Sequence, residues 1–143
     1  MKKVSSILKS KSNNHIYSVL PDTSVYDALK LMMEKNISSV LVMTGAQLDG
    51  ILTERDYARK VILLGKSSKD IPVSEIMTPE PITISPQDSI DHCMELMTNK
   101  HFRHLPVIDH ENVVGILSIG DLVKSIIEDQ KSTIHYLQEY INQ

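Results

Sequence analysis

The sequence predicts a mixed α/β (α+β) fold, in which two β-α-β-β-α repeats pack about a pseudo-twofold axis. The first observation is the repeat itself: residues 16–57 align without a gap on residues 81–122, and ten of the aligned positions are identical. The second is the apolar pattern, which changes within each copy from a helical period to short strand-like runs. The third is size, because a unit of about 45 residues is near the limit for an independent core.

Each copy opens with a short extended piece, at 16–20 and 82–84, that ends near Pro21 or Pro86 because proline lacks the N–H needed for strand pairing. The helix that follows is predicted from apolar residues at i, i+3, i+4 and i+7, and Ser24 and Ser89 are suited to cap it. Two apolar runs then predict a hairpin in each copy, 40–43 with 48–52 and 105–108 with 113–117. A second helix is predicted to begin at Thr53 or Ser118.

The repeat divides the chain into an N-terminal segment (1–15), a first repeat (16–64), a linker (65–80), a second repeat (81–128) and a C-terminal helix (129–143). The linker is rich in glycine, serine and proline, with room for one short turn at 73–77. The basic N-terminal segment is interpreted as a solvated, partly frayed terminus. Chain length leaves room for one core.

The C-terminal helix carries one apolar stripe, formed by Ile127, Ile134, Leu137 and Ile141. That stripe either closes the chain's own core or joins two chains, and the sequence leaves both open.

Composition excludes several classes of function. A net charge of −3 argues against a general affinity for nucleic acid, which requires a basic face. Cys93 is the only cysteine, so no internal disulfide can form, and its alignment with Ala28 on an apolar helix face predicts core packing. The longest apolar run, 61–64, is too short to span a bilayer, and the polar start lacks the apolar region of a signal peptide. We expect a cytoplasmic protein without a membrane partner.

One motif occurs twice, G-I-L-T-E-R-D at 50–56 and G-I-L-S-I-G-D at 115–121. The hydroxyl and the aspartate three residues later have the spacing of a helix capping box. The same geometry suits a ligand, because an uncovered helix N-terminus offers N–H groups to a phosphate and an aspartate accepts hydrogen bonds from ribose hydroxyls. The glycine would let a ligand approach the backbone. Capping and binding are compatible, so the motif permits either role.

The doubled motif, together with H-F-R-H-L-P-V-I-D at 101–109, resembles a tandem pair of cystathionine-β-synthase (CBS) domains, also called a Bateman module. The resemblance covers residues 16–125, and T-E-R-D-Y-A-R-K-V at 53–61 is similar to stand-alone bacterial proteins made only of a CBS pair. It implies a noncatalytic regulatory module that binds AMP, ADP, ATP or a related adenosyl ligand between its repeats. No required cofactor is implied.

The resemblance also implies roles for individual residues. Asp56 and Asp121 would hold ribose hydroxyls, and Thr53 and Ser118 would meet phosphate or ribose oxygens. Residues of the first strand of each copy would line the base and sugar or enclose the adenine: Ser18, Tyr17 and Val19 in the first copy, and Ile82, Thr83 and Ile84 in the second.

Two positions that carry basic phosphate contacts in the family are filled unequally here. Arg103 stands where the first copy has Ser38, and Arg55 stands where the second copy has Gly120. We hypothesise that both arginines point towards one shared phosphate zone, so that one site dominates; the alternative is a pair of surface arginines bound to acids. His104 is expected to be solvated or to contact phosphate, because His101-x-x-His104 lacks a third metal ligand.

Three functions remain open. The first is a nucleotide sensor that modulates an unidentified partner protein, as a homodimer joined through its helices. The second is a structural dimerisation module with vestigial ligand sites, or a regulator that responds to NADH or S-adenosylmethionine. The third is an enzyme, which the sequence disfavours because it lacks a Walker phosphate loop, a nucleophile elbow and a metal-ligand set.

Overall fold

The structure, a computed structural model, describes residues 2–11 and 15–142. Parts of the predicted N-terminal segment (residues 1 and 12–14) and residue 143 of the predicted C-terminal helix lie outside the described residues. The elements follow the order α1 (Val4–Ser10), β1 (Ser18–Val19), α2 (Val25–Lys35), β2 (Ser39–Thr44), β3 (Gln47–Thr53), α3 (Glu54–Tyr57) with a π-helical turn (Ala58–Ile62), a 3-10 turn (Val73–Glu75), β4 (Thr78–Pro79), α4 (Ile90–Lys100), β5 (His104–Asp109), β6 (Asn112–Ser118) and α5 (Ile119–Ile141).

Both predicted hairpins are confirmed. β2 pairs antiparallel with β3 and β5 pairs antiparallel with β6. In the first repeat, β1 runs parallel to β2 and β4 runs antiparallel to β3, which gives a four-stranded sheet in the order β1-β2-β3-β4. In the second repeat, the counterpart of β1 is a single parallel bridge between Ile84 and Val107. The two repeats therefore share the hairpin and the parallel pairing at its first strand, whereas only the first repeat adds a strand beside the second.

The predicted helix starts are also confirmed. Ser24 and Ser89 accept hydrogen bonds from the backbone N–H three residues on, both at 3.1 Å. α2 and α4 each end at a residue in the left-handed conformation, Asn36 with φ 54° and His101 with φ 59°. Because equivalent residues cap both ends, α2 and α4 have the same length, and the chain leaves both helices through a left-handed residue.

Two separate hydrophobic clusters form instead of the single core expected from chain length. One contains α4, β5 and β6 together with α1: Val4, Ile7, Ile84, Ile90, Cys93, Met97, Leu105, Val107, Leu117 and Leu122. The other contains α2, β2 and β3 together with the end of the predicted linker: Val25, Ala28, Met32, Val40, Val42, Leu52, Val61, Ile71, Val73 and Ile76. Cys93 is fully buried as predicted. Each repeat therefore completes its core with a segment outside the repeated unit.

The prediction of a solvated, partly frayed N-terminus is wrong for residues 2–11. Val4 and Ile7 are 0% and 2% exposed, and the Val4 N–H donates to the Asp88 carbonyl at 2.9 Å. Residues 73–77, V-S-E-I-M, are the counterpart of V-S-S-I-L at 4–8, and the Val73 N–H likewise donates to the Thr23 carbonyl at 2.8 Å. α1 thus covers the second repeat, and the end of the linker covers the first.

The predicted boundary between the second repeat and the C-terminal helix is not a structural break, because α5 is one helix from Ile119 to Ile141. Its apolar stripe does not close the chain's own core. Ile127, Ile134, Leu137 and Ile141 are all exposed, by 45% to 77%. The stripe is available to another surface.

Candidate functional site

The repeated motif forms a complete capping box in each repeat. The Asp56 carboxylate accepts from the Thr53 N–H at 3.0 Å, and the Asp56 N–H donates to the Thr53 hydroxyl at 3.1 Å. Asp121 and Ser118 repeat this exchange at 2.9 and 3.1 Å. Both aspartates are therefore fixed at the start of a helix, where the macrodipole favours a negative charge.

The helix starts are less open than the sequence suggested. The first four N–H groups of a helix have no acceptor within the helix, but in α5 the Ile119 N–H donates to the Arg103 carbonyl at 2.8 Å. The Glu54 N–H donates likewise to the Ser38 carbonyl at 3.2 Å. Once the capping boxes are formed, one N–H group at each of these two helix starts has no acceptor among the described residues. It belongs to Arg55 in α3 and to Gly120 in α5, and it can meet a ligand.

Cleft 1 lies beside the first capping box and has a volume of about 690 Å³. Thr53 and Asp56 form one side, and Ile82, Arg103 and His104 of the second repeat form the other. The remaining lining residues are Ser38, Ile51, Glu54, Arg55, Arg59, Lys60, Thr78, Pro81, Lys100, His101 and Phe102. Such a volume falls within the range of small-molecule sites.

Cleft 2 lies beside the second capping box and has a volume of about 470 Å³. Ser118 and Asp121 form one side, and Tyr17 and residues 36–39 of the first repeat form the other. The remaining lining residues are Lys11, His15, Glu54, His104 and Ile116. The two clefts are reciprocal, since each combines the motif of one repeat with the strand entry of the other.

His104 joins the two clefts, because it lines both. Its Nε2 lies 2.9 Å from the Ser38 hydroxyl, a hydrogen bond between the repeats. Burial lowers the pKa of His104 below 6.5, and the positive charges of Arg103 and Lys11 lower it further, while Asp121 opposes them. His104 is therefore a neutral imidazole at neutral pH.

Each motif aspartate also has a basic neighbour. The Lys60 ammonium lies 3.4 Å from the Asp56 carboxylate, one helical turn away, and donates to the Ile76 carbonyl at 2.9 Å. The Lys11 ammonium lies 3.0 Å from the Asp121 carboxylate. Lys60 could have been found from its i+4 spacing, whereas no local pattern indicated Lys11.

Most of the residues singled out from the sequence meet in the clefts. Thr53, Arg55, Asp56, Ile82 and Arg103 line cleft 1, Ser118 and Asp121 line cleft 2, and His104 lines both.

Four of them lie elsewhere, and one of these, Val19, packs against the core of the first repeat. Ser18 and Thr83 are exposed and belong to the lining of neither cleft. Ile84 is 3% exposed within the second core, and its N–H and carbonyl pair with Pro106 and Ile108. Strand alternation turns the side chains of Ser18 and Thr83 away from the side of Tyr17 and Ile82, which reach the clefts. Ile84 lies on the same side as Ile82, but it is paired with β5 and packs within the second core.

Arg55 and Arg103 come from different repeats and line the same cleft, and their sharing of one phosphate zone stays a prediction. Both are exposed, and among the described residues no carboxylate lies within 4.0 Å of either guanidinium. The alternative of arginines held by surface acids is therefore not what the structure shows. Cleft 1 has five basic and two acidic lining residues, whereas cleft 2 has one lysine and two acids.

The motif glycines serve packing rather than ligand approach. A Cβ added to Gly50 would lie 2.5 Å from the Met77 sulfur and 2.8 Å from the Thr78 carbonyl oxygen. A Cβ added to Gly115 would lie 2.8 Å from a methyl group of Leu8. The space that the sequence assigned to a ligand is thus filled by residues of the segments 4–8 and 73–78.

Within residues 2–11 and 15–142, no three His, Cys, Asp or Glu side chains are grouped so as to hold a metal ion. In the same residues, no helix is both long and apolar enough to cross a bilayer.

Comparison with known proteins agrees with the geometry. The CBS domain family matches residues 4–62 and 73–128. The chain is 40% identical over 146 residues to the mitochondrial CBS domain-containing protein CBSX3 of Arabidopsis thaliana, with 96% of this chain and 71% of that protein covered. Among solved structures, a protein with CBS domains from Burkholderia ambifaria MC40-6 is 52% identical, with a TM-score of 0.86 and coverage of 90% of this chain and 96% of that one.

A further structural neighbour, CBSX2, was solved in complex with AMP; it is 27% identical, with a TM-score of 0.71 and coverage of 91% of this chain and 99% of that one. The family match includes residues 4–8 and 73–77, so each repeat of the family is longer than the segments that align at a constant offset. The chain belongs to the CBS domain family, and its two matched segments make it a CBS pair.

Proposed function

We propose that this protein is a regulatory module that binds AMP, ADP or ATP in the clefts between its CBS repeats and alters a partner protein without catalysis of its own. One observation carries the proposal: two reciprocal clefts each bring a fixed hydroxyl and carboxylate from one repeat against an apolar residue at the strand entry of the other. The AMP complex of the neighbour CBSX2 supports this choice of ligand.

In this proposal Asp56 and Asp121 accept hydrogen bonds from the two ribose hydroxyls. A carboxylate oxygen has a second lone pair, so each aspartate can keep its capping bond while it binds the sugar. Ile82 in cleft 1 and Tyr17 in cleft 2 offer apolar surface to the adenine. Ser18, Thr83 and Ile84 are not needed for these contacts.

Cleft 1 is the stronger site for ligands with several phosphates. Its excess of basic side chains, which includes Arg55 and Arg103, attracts polyanions, and guanidinium groups bind phosphate oxygens in pairs. Each helix start leaves a single amide, so the arginines rather than the helix dipole supply most of the phosphate binding. We expect ATP and ADP to prefer cleft 1, and this preference to weaken in high salt.

Calorimetric titration of AMP, ADP and ATP into the wild type, Asp56→Ala and Asp121→Ala tests the proposal. Each substitution should remove binding at its own cleft. Both also remove a helix cap, so Ser89→Ala serves as a matched control: it removes the cap of α4, at a cost of about 1 kcal/mol in folding free energy, without touching either cleft. Unchanged nucleotide affinity in both aspartate variants would contradict the proposal.

We further propose that two copies associate through their helices. Apolar side chains are exposed on α5 and just after α3: Ile62, Leu63, Leu64, Val123, Ile127, Ile134, Leu137 and Ile141. Exposed apolar side chains in this number are typical of an interaction site. Light scattering should give the mass of a dimer, and a monomer would contradict this part of the proposal.

A structural dimerisation module with vestigial sites is the second candidate. It is favoured by the ion pairs of Asp56 with Lys60 and of Asp121 with Lys11, which satisfy both carboxylates without a ligand. This candidate would be favoured if the protein is dimeric and calorimetric titration detects no heat of binding with any adenine nucleotide, NADH or S-adenosylmethionine.

A cytoplasmic location is also part of the proposal. The single buried thiol suits a reducing compartment. Because the relative CBSX3 is mitochondrial, fractionation of the source cells is the test.

A further inference from the structure

Cleft 2 contains a lysine that comes from outside the repeated unit. The Lys11 ammonium donates to the Asp121 carboxylate at 3.0 Å and to the Ile116 carbonyl at 2.9 Å. The same Asp121 oxygen accepts the Ser118 N–H at 2.9 Å. Lys11 therefore donates to the same carboxylate oxygen that caps α5.

Lys11 is held in this place by α1. It follows the last residue of that helix, and its backbone N–H donates to the Ile7 carbonyl at 3.1 Å. Ile7 and Val4 anchor α1 in the second core. The lysine and aspartate side chains are only 25% and 22% exposed, so this pair is more shielded from solvent than an ordinary surface ion pair.

Cleft 1 has no equivalent of Lys11. The shift that aligns 4–8 with 73–77 carries Lys11 onto Glu80, an exposed residue that does not line the cleft. The basic neighbour of Asp56 is Lys60, from the same helical segment and 42% exposed. Cleft 1 has Arg103 for phosphate, whereas cleft 2 has Ser38 at the corresponding position. The cation of cleft 2 is thus supplied by the N-terminal helix.

We propose that Lys11 determines the ligand selectivity of cleft 2 by making binding depend on a phosphate group. The inference rests on the proposed function. The Ser118 N–H and the Lys11 ammonium already occupy one Asp121 oxygen, so a ribose whose two hydroxyls take both oxygens must displace the ammonium from it, which costs an ion pair. A ligand with a phosphate gives the displaced ammonium a new anionic partner, and a nucleoside without one gives it none. Cleft 2 therefore selects AMP over adenosine through Lys11.

The experiment is a titration of ¹⁵N-labelled protein with adenosine and with AMP, followed by NMR. The amides of Ser118 and Gly120 report binding at cleft 2, and those of Thr53 and Arg55 report binding at cleft 1. Each ligand then has a separate dissociation constant for each cleft. The measured quantity is the ratio of the adenosine constant to the AMP constant at cleft 2.

Lys11→Met should lower this ratio by about tenfold. Adenosine then binds Asp121 without displacing an ammonium, and AMP loses a charge-assisted hydrogen bond to its phosphate. The ratio at cleft 1 should not change. Lys11→Arg should restore selectivity, and Lys9→Met, on the exposed side of the same helix, is the matched control.

A ratio in Lys11→Met within about twofold of the wild type would overturn the role of Lys11. A merely structural ion pair would change stability and affinity for both ligands together, and the ratio would stay the same. If neither ligand shifts Ser118 or Gly120 in the wild type, the proposed function of cleft 2 fails together with this inference. The two failures are therefore distinguishable.

Discussion

Replacing Ile7 by alanine tests whether the N-terminal helix is an integral part of the second core. Ile7 is 2% exposed and packs in the cluster formed by α4, β5 and β6. Truncation of a buried isoleucine removes its transfer free energy and leaves a cavity, at a cost of about 2–5 kcal/mol in free energy of unfolding. For a chain of this size that cost corresponds to a fall in Tm of roughly 6–15 °C.

The measurement is urea denaturation followed by far-UV circular dichroism, with a thermal melt as a second readout. Lys9→Ala is the matched control, because Lys9 lies on the exposed face of the same helix and should change the stability by less than about 0.5 kcal/mol. Equal stabilities of Ile7→Ala, Lys9→Ala and the wild type would refute the packing of α1 and, with it, the position of Lys11 in cleft 2.

The remaining predictions concern packing, pH and thiol chemistry. Gly50→Ala should cost about 1–3 kcal/mol in stability, because its Cβ meets the backbone of β4, and Gly115→Ala should cost less, because its Cβ meets only a movable methyl group; equal losses in urea melts would contradict this. As the pH falls below 6.5, the usual pKa of histidine, His104 should lower the free energy of unfolding, because the unfolded chain then takes up the proton more readily than the folded chain. His104→Gln should therefore weaken the dependence of this free energy on pH between about pH 7 and pH 5. The same pH dependence in the variant and the wild type would contradict this prediction. Burial, assisted by the charge of Asp88, raises the pKa of Cys93 to about 11, so the native thiol should resist a disulfide reagent near neutral pH and react once the chain unfolds; rapid reaction of the native protein would show that the thiol is not buried.

Local chemistry made much of the fold predictable from the sequence. The hairpins follow from short apolar runs, and the helix starts follow from serine, threonine and aspartate at capping positions. The internal repeat then implied that the two motifs sit in equivalent places. Because Thr53, Asp56, Ser118 and Asp121 belong to these local signals, their positions beside the clefts could be predicted.

Features that depend on distant packing could not be predicted in the same way. α1 pairs with the loop before α4, more than eighty residues along the chain, and its signal was the similarity of V-S-S-I-L to V-S-E-I-M at an offset different from that of the main repeat. The resemblance placed Ile84 beside the adenine, but its pairing with β5 and its packing in the second core bury it, and both contacts form only when distant segments meet. The pairing of Lys11 with Asp121 joins residues 110 positions apart, and no periodic pattern indicates such a contact.

A crystal structure of the protein grown with AMP tests the proposed site most directly. The ribose hydroxyls should lie within hydrogen-bonding distance of the carboxylate of Asp56 or Asp121, with the adenine between the two repeats. AMP bound anywhere else on the protein, with both clefts empty of nucleotide at saturating concentration, would contradict the proposed site.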